Sequence, residues 1–127
     1  MAFEPMIFVN DVEATSRFLQ GLLGLKSAHG GPEYEMLMDA EGRLALQLHH
    51  ADADEHGGER LPAGSQRGAG VLFYVQTPDV RAAYAKAKEM GARCETEPTF
   101  ISLAHHTEFV VRDLDGYAIA IYQRGEV

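Results

Sequence analysis

The chain has no tryptophan and one cysteine, Cys94, in 127 residues, so an internal disulfide or a cysteine-built zinc cluster is excluded. A lone cysteine suits a reducing compartment, and Cys94 reads as an unreactive strand residue. Positive charge is scarce. Eleven Lys and Arg residues against nineteen Asp and Glu give a formal net charge of −8. The basic residues are scattered rather than clustered with aromatics, which argues against a nucleic-acid partner. Long apolar runs are missing as well: nothing approaches the ~20 residues that span a bilayer, so no membrane partner is expected. Met1 to Asp11 contains Glu4 and Pro5 and has neither the basic start nor the apolar stretch of an export signal. The expectation is a soluble, cytoplasmic protein.

What is present is alternation and helical spacing in a fixed order. Pro5 to Val9 is an apolar run of strand length, and Asp11 is placed to cap a helix whose Val12, Thr15, Phe18, Leu19 and Leu22 recur at helical intervals until Gly24. Leu25 to His29 is a weakly marked strand. Tyr34 to Asp39 and Arg43 to His49 alternate on either side of Ala40-Glu41-Gly42 and predict a hairpin.

The order then recurs. Val71 to Val75 reads as a strand, and Thr77 is placed to cap a helix with Pro78 in its first turn and Val80, Ala83, Tyr84 and Ala87 as its buried stripe before Gly91. Strands are predicted over Arg93 to Pro98, His106 to Asp113 and Tyr117 to Gln123. Phe8-Val9 with Asp11-Val12 matches Tyr74-Val75 with Asp79-Val80, Gly24 matches Gly91, and Asp39 to Gly42 matches Asp113 to Gly116. A duplicated unit accounts for all three. The expected fold class is α+β, a single domain over residues 1–127 made of two tandem βαβββ modules. Module one covers about 1–50 and module two about 70–127, with a linker over about 51–69.

Pro5-x-x-x-Val9-x-Asp11, a helix with Phe18 and Gly24-Leu25, and Arg112-Asp-Leu-Asp-Gly-Tyr117 before an apolar strand resemble the vicinal oxygen chelate superfamily over essentially the whole chain. That group includes glyoxalases, bleomycin-resistance proteins, fosfomycin-resistance proteins and extradiol dioxygenases. The resemblance implies a curved mixed sheet around a central cup, helices on its convex face, and a homodimer. It also implies that metal-using members draw ligands from the first and last strands of each half, positions that fall here on Glu4, Gln47, Gly70 and Ala120. Gly70 and Ala120 have no donor, and a catalytic metal held by one carboxylate and one amide is underligated.

Strand alternation divides the remaining inward positions. Ile7, Val9, Leu44, Leu46, Leu48, Val71, Phe73, Val75, Ile119 and Ile121 are expected against the helices. Met6, Phe8, Ala45, Gln47, His49, Leu72, Tyr74, Ala118, Ala120 and Tyr122 are expected in the cup. Met6, Phe8, Gln47, His49, Leu72, Tyr74 and Tyr122 are the expected ligand-binding residues, the aromatics as walls and Gln47 with His49 orienting the polar end. His49 is expected as a rim residue.

His105 and His106 are expected in a loop before the strand carrying Glu108, with no partner visible in sequence. Asp52, Asp54, Glu55 and His56 read as solvated loop charge. The expected function is metal-independent binding or sequestration of a hydrophobic or aromatic small molecule, cations included, in the manner of bleomycin-resistance proteins and so of antibiotic resistance. The expected cofactor is none, and no residue is assigned as catalytic. The alternative is a metal-dependent lyase or dioxygenase holding a divalent metal with Glu4, Gln47, His49 and one of the two adjacent histidines. A third reading is a structural subunit whose cup is packed shut.

Overall fold

The computed structural model describes residues 1–52 and 66–127. The chain divides into two compact units, Met1–Arg67 and Gly68–Val127. In the first, β1 (Met6–Val9) leads into α1 (Val12–Leu23), followed by β2 (Lys26–Ser27), β3 (Tyr34–Met38) and β4 (Leu44–His50). These strands form one sheet in the order β1-β4-β3-β2, with β1 parallel to β4 and the other pairs antiparallel. In the second unit β5 (Leu72–Gln76), α2 (Val80–Glu89), β6 (Arg93–Cys94), β7 (Thr99–Ile101), β8 (His106–Arg112) and β9 (Ala118–Arg124) repeat the order. The sheet runs β5-β9-β8-β6, with β7 also paired to β8. The expected α+β class and the βαβββ duplication are what the chain adopts.

The local signals act where their chemistry predicts. Asp11 caps α1 by accepting the Ala14 N–H at 3.0 Å, and Gly24 ends it with a left-handed φ of 70°. The hairpin turns are duplicates. Asp39 Oδ1 accepts the N–H groups of Glu41 and Arg43, and Asp113 Oδ1 accepts those of Asp115 and Tyr117.

Three details differ from the sequence expectation. The cap of α2 is Asp79, which accepts the Ala82 N–H at 3.0 Å, while Thr77 Oγ1 accepts the Asp79 N–H at 3.3 Å. The carboxylate outcompetes the hydroxyl for the first turn, and Pro78 lies before the helix. The run from Arg93 to Pro98 is not one strand. Glu95 and Thr96 both direct their N–H groups to the Val110 carbonyl, and this irregularity breaks the edge into β6 and an unpredicted β7. Val71 lies outside β5 and is 47% exposed, so only Phe73 and Val75 of that trio are half-buried.

Each helix covers one face of its own sheet. In the second module Phe109, fully buried, meets Tyr84 of α2 edge-on at 5.2 Å, flanked by buried Val111, Ile119 and Ile121. Half-buried Cys94 has its thiol pKa pushed up by burial, which keeps it in the unreactive form expected.

In the first module the corresponding face carries Ile7, Val9, Leu37, Leu46 and Leu48, and among them Glu35, only 2% exposed. Glu35 Oε2 accepts the hydroxyls of Ser16 on α1 (2.8 Å) and Ser27 on β2 (2.7 Å). Its Oε1 accepts the N–H groups of His29, Gly30 and Met36. Burial pushes this carboxyl up, but the hydrogen bonds from Ser27, Gly30, Ser16 and His29 outweigh it and hold the pKa at about 2.

A carboxyl whose pKa is depressed on folding adds stability above its ordinary value of 4.5 and loses it as pH falls toward about 2. The shift corresponds to roughly 3 kcal/mol. Urea denaturation at pH 7, 4 and 3 is expected to show this loss. Glu35→Gln, which removes the charge and places an amide donor among donors, is expected to cost ~2 kcal/mol at pH 7 and to flatten the acid limb.

Among the described glycines with positive φ, Gly68 is the one whose replacement meets backbone. It holds φ +77°, and a Cβ there would lie 2.8 Å from Tyr117 Cδ1 and 3.2 Å from Tyr117 Cα. Gly68→Ala is expected to lower stability by ~2 kcal/mol in the same assay.

Candidate functional site

The face of each sheet turned away from its helix carries the sequence-nominated residues, because alternate side chains of a strand point to opposite faces. In the first module Met6 lies beside Gln47, and Phe8 beside His49, in the parallel β1–β4 pairing. Tyr34 stands opposite His49 across β3–β4. The ring centroids of Phe8 and His49 are 5.7 Å apart and those of Tyr34 and His49 6.3 Å apart, and His29 meets Tyr34 edge-on at 4.9 Å. Contrary to the rim position expected, His49 is only 5% exposed, because β4 is an inner strand with β1 and β3 on either side.

Gln47 is committed at both ends of its amide: Oε1 accepts the Tyr34 hydroxyl and Nε2 donates to the Glu4 carbonyl at 2.8 Å. The Tyr34 hydroxyl is held above its ordinary pKa by burial, then by the charges of Glu4 and Glu35.

In the second module Leu72 and Tyr74 of β5 are 46% and 53% exposed, whereas Ala118 and Ala120 on the same face are buried. Tyr74 and Tyr122 meet edge-on at 5.6 Å. The sequence reading had the tyrosines but missed what joins them. Glu108 Oε1 accepts the Tyr74 hydroxyl at 3.2 Å and contacts His106 Nε2 at 2.6 Å. The His106 ring lies 4.8 Å from that of Tyr122, tilted by 36°, and 5.9 Å from that of Tyr74.

His106 thus follows the strand predicted over His106 to Asp113, not the loop role read for it beside His105. It opens β8, paired with Ile101 and Arg124, and the two-residue spacing His106-x-Glu108 puts both groups on one face. That spacing was the available signal. His105 is separate: it holds a φ of 53° at the end of the turn after β7, its ring 5.7 Å from that of Phe100. Asp52 is exposed; Asp54, Glu55 and His56 lie outside the described residues.

The four positions implied for metal ligands do not fit a divalent ion. The Gln47 amide is committed to Tyr34 and Glu4, Gly70 has no side chain, and Ala120 presents a fully buried methyl. Glu4 alone supplies an anionic oxygen. Among the described residues no three His, Cys, Asp or Glu side chains converge as a metal site.

With two βαβββ modules of matching strand order and a matching pair of aspartate turns in place, the comparisons with known proteins agree on the class. A family model described as Glyoxalase/Bleomycin resistance protein/Dioxygenase superfamily matches residues 3–121, and the chain belongs to that superfamily. A search of curated proteins finds no significant match. Solved structures share the fold at low identity. A protein of unknown function from Agrobacterium tumefaciens is 22% identical with a TM-score of 0.78, covering 97% of this chain and 94% of that one. A lactoylglutathione lyase from the same organism is 18% identical with a TM-score of 0.71, covering 97% and 92%. A possible glyoxalase from Bacillus cereus is 21% identical with a TM-score of 0.70, covering 95% and 97%.

The Tyr74 hydroxyl is held above its ordinary pKa of 10.0, by burial first and then by the Glu108 charge and hydrogen bond. Spectrophotometric titration of Glu108→Gln is expected to show one tyrosine ionising at lower pH than in the parent protein. Tyr74→Phe is expected to remove the same late transition.

Proposed function

We propose that this superfamily member binds a small aromatic or otherwise apolar molecule without using a resident metal, as a sequestering protein rather than a lyase or dioxygenase. The observation that carries the reading is the ring cluster on the helix-free face of each module: Phe8, Tyr34 and His49 in one, Tyr74, His106 and Tyr122 in the other. Tilted and edge-on rings present flat apolar surface with polar tips, the lining expected of an aromatic-binding site. Met6 and Leu72 add apolar surface, and Gln47 fixes the Tyr34 hydroxyl beside buried His49.

The metal-dependent alternative loses weight on residue chemistry, because at three of the family's four ligand positions the donor is replaced or already bonded. Soluble aromatic binding, not turnover, is what these side chains are suited to. The homodimer and the antibiotic-resistance role belong to the same proposal.

A thermal-shift panel of aromatic antibiotics, aromatic metabolites and thiol conjugates is expected to give stabilisation by at least one class. Tyr122→Ala is expected to weaken a ligand seated on the second module ~10-fold, and Phe8→Ala one seated on the first, about the loss of one ring contact in each case. Elemental analysis of protein purified without chelator is expected to give less than stoichiometric nickel, zinc, iron or manganese. A stoichiometric metal lost in Glu4→Ala would restore the lyase or dioxygenase reading.

A further inference from the structure

We propose that the helix-free face of the second module selects an organic cation, with Glu108 as the recognising anion and His106 as an internal competitor for the same carboxylate. This rests on the aromatic-binding reading and narrows it by charge.

Three observations carry it. Glu108 is a carboxylate with a side chain only 15% exposed, set among the rings of Tyr74, Tyr122 and His106. Ring faces and a poorly hydrated carboxylate both attract a cation, and both do so more strongly out of bulk water. Approach stays open on the β5 side, where Tyr74 and Leu72 are half exposed. His106 also shows what a bound cation would look like: when protonated it is a flat organic cation 2.6 Å from Glu108 Oε1, tilted against the ring of Tyr122.

The competition follows from charge. With a neutral imidazole, the Glu108 charge is available to a ligand. With an imidazolium, the pair is neutral and the ligand's cation gains little.

The groups facing this pair leave the exchange to His106. Tyr74 comes from β5 and Tyr122 from β9. Arg124 of β9 stands opposite His106 but is exposed. Arg112, farther along β8, is held by Glu95 and the Gly116 carbonyl. From β7, Thr99 and Ile101 pair with Glu108 and His106 and bring no charge. Cation affinity is therefore expected to be higher with a neutral His106 than with a protonated one.

The test uses the full chain, isotope-labelled, with two probes that share a ring: benzyltrimethylammonium, whose charge is fixed, and neutral benzyl alcohol. Histidine and tyrosine ring signals are followed at pH 8 and pH 5.5. At pH 8 the cation is expected to bind ~10-fold tighter than the alcohol, shifting the His106 and Tyr122 signals, and to weaken severalfold at pH 5.5. Glu108→Gln is expected to abolish the preference and leave the alcohol unaffected. Glu108→Asp is expected to retain it, and His106→Gln to keep the preference while losing its pH dependence.

Equal affinity for the two probes at pH 8, or a preference that survives in Glu108→Gln, overturns the cation assignment and leaves aromatic binding standing. PH dependence that persists in His106→Gln overturns the competition. Failure of both probes to bind at either pH overturns the aromatic-binding reading itself.

Discussion

The first module depends on a charge kept where charge is costly. Glu35 sits under α1 with five donors around its two oxygens, drawn from the helix, from β2, from the segment after β2 and from β3 itself. No apolar residue could join these four pieces of chain, because β2 is only two residues long and its own ladder is weak. The carboxylate replaces missing sheet with directed hydrogen bonds, and burial is tolerable because every bond favours the ionised form.

The second module solves the same problem with oil. Matching Tyr34↔His49 to Glu108↔Tyr122 aligns β3 with β8, and the two strands then carry the same kinds of residue in reversed order: Tyr34-Glu35 in one, Glu108-Phe109 in the other. In the first, the acid lies beneath the helix and the aromatic on the helix-free face. In the second, Phe109 fills the space beneath α2 and the acid is turned outward among the rings. The duplicated modules have thus diverged by exchanging neighbours across the pleat. The electrostatic character of their helix-free faces differs accordingly.

Much of this was legible in the sequence because it is local. Asp11 with Gly24, and the Asp39 and Asp113 turns, each depend on residues within four positions, and the repeat of those short signals revealed the duplication. The alternation rule also placed Phe8, Gln47, Tyr74 and Tyr122 on the correct face. Glu35 was not legible, since its burial is made acceptable by Ser16 and Ser27, nineteen and eight residues away. The split of β6 from β7 depends on two N–H groups sharing one distant carbonyl, which no periodicity reports. The His106–Glu108 pair was readable in principle from its spacing within the strand predicted over His106 to Asp113, but reading His106 together with His105 as loop residues hid it.

The reversed pair on β8 also bears on which changes of length this fold can absorb. A one-residue slip of β8 against β9 would carry the Glu108 carboxylate under α2, where no serine hydroxyls wait for it, and push Phe109 to the other face. The short turn from Ser102 to His105, with His105 in a left-handed conformation and its N–H bonded to the Ser102 carbonyl at 3.2 Å, fixes the start of that strand. Insertions or deletions there are therefore a more severe test of the chain than most substitutions, and homologues that keep the acid outward should keep that turn at constant length.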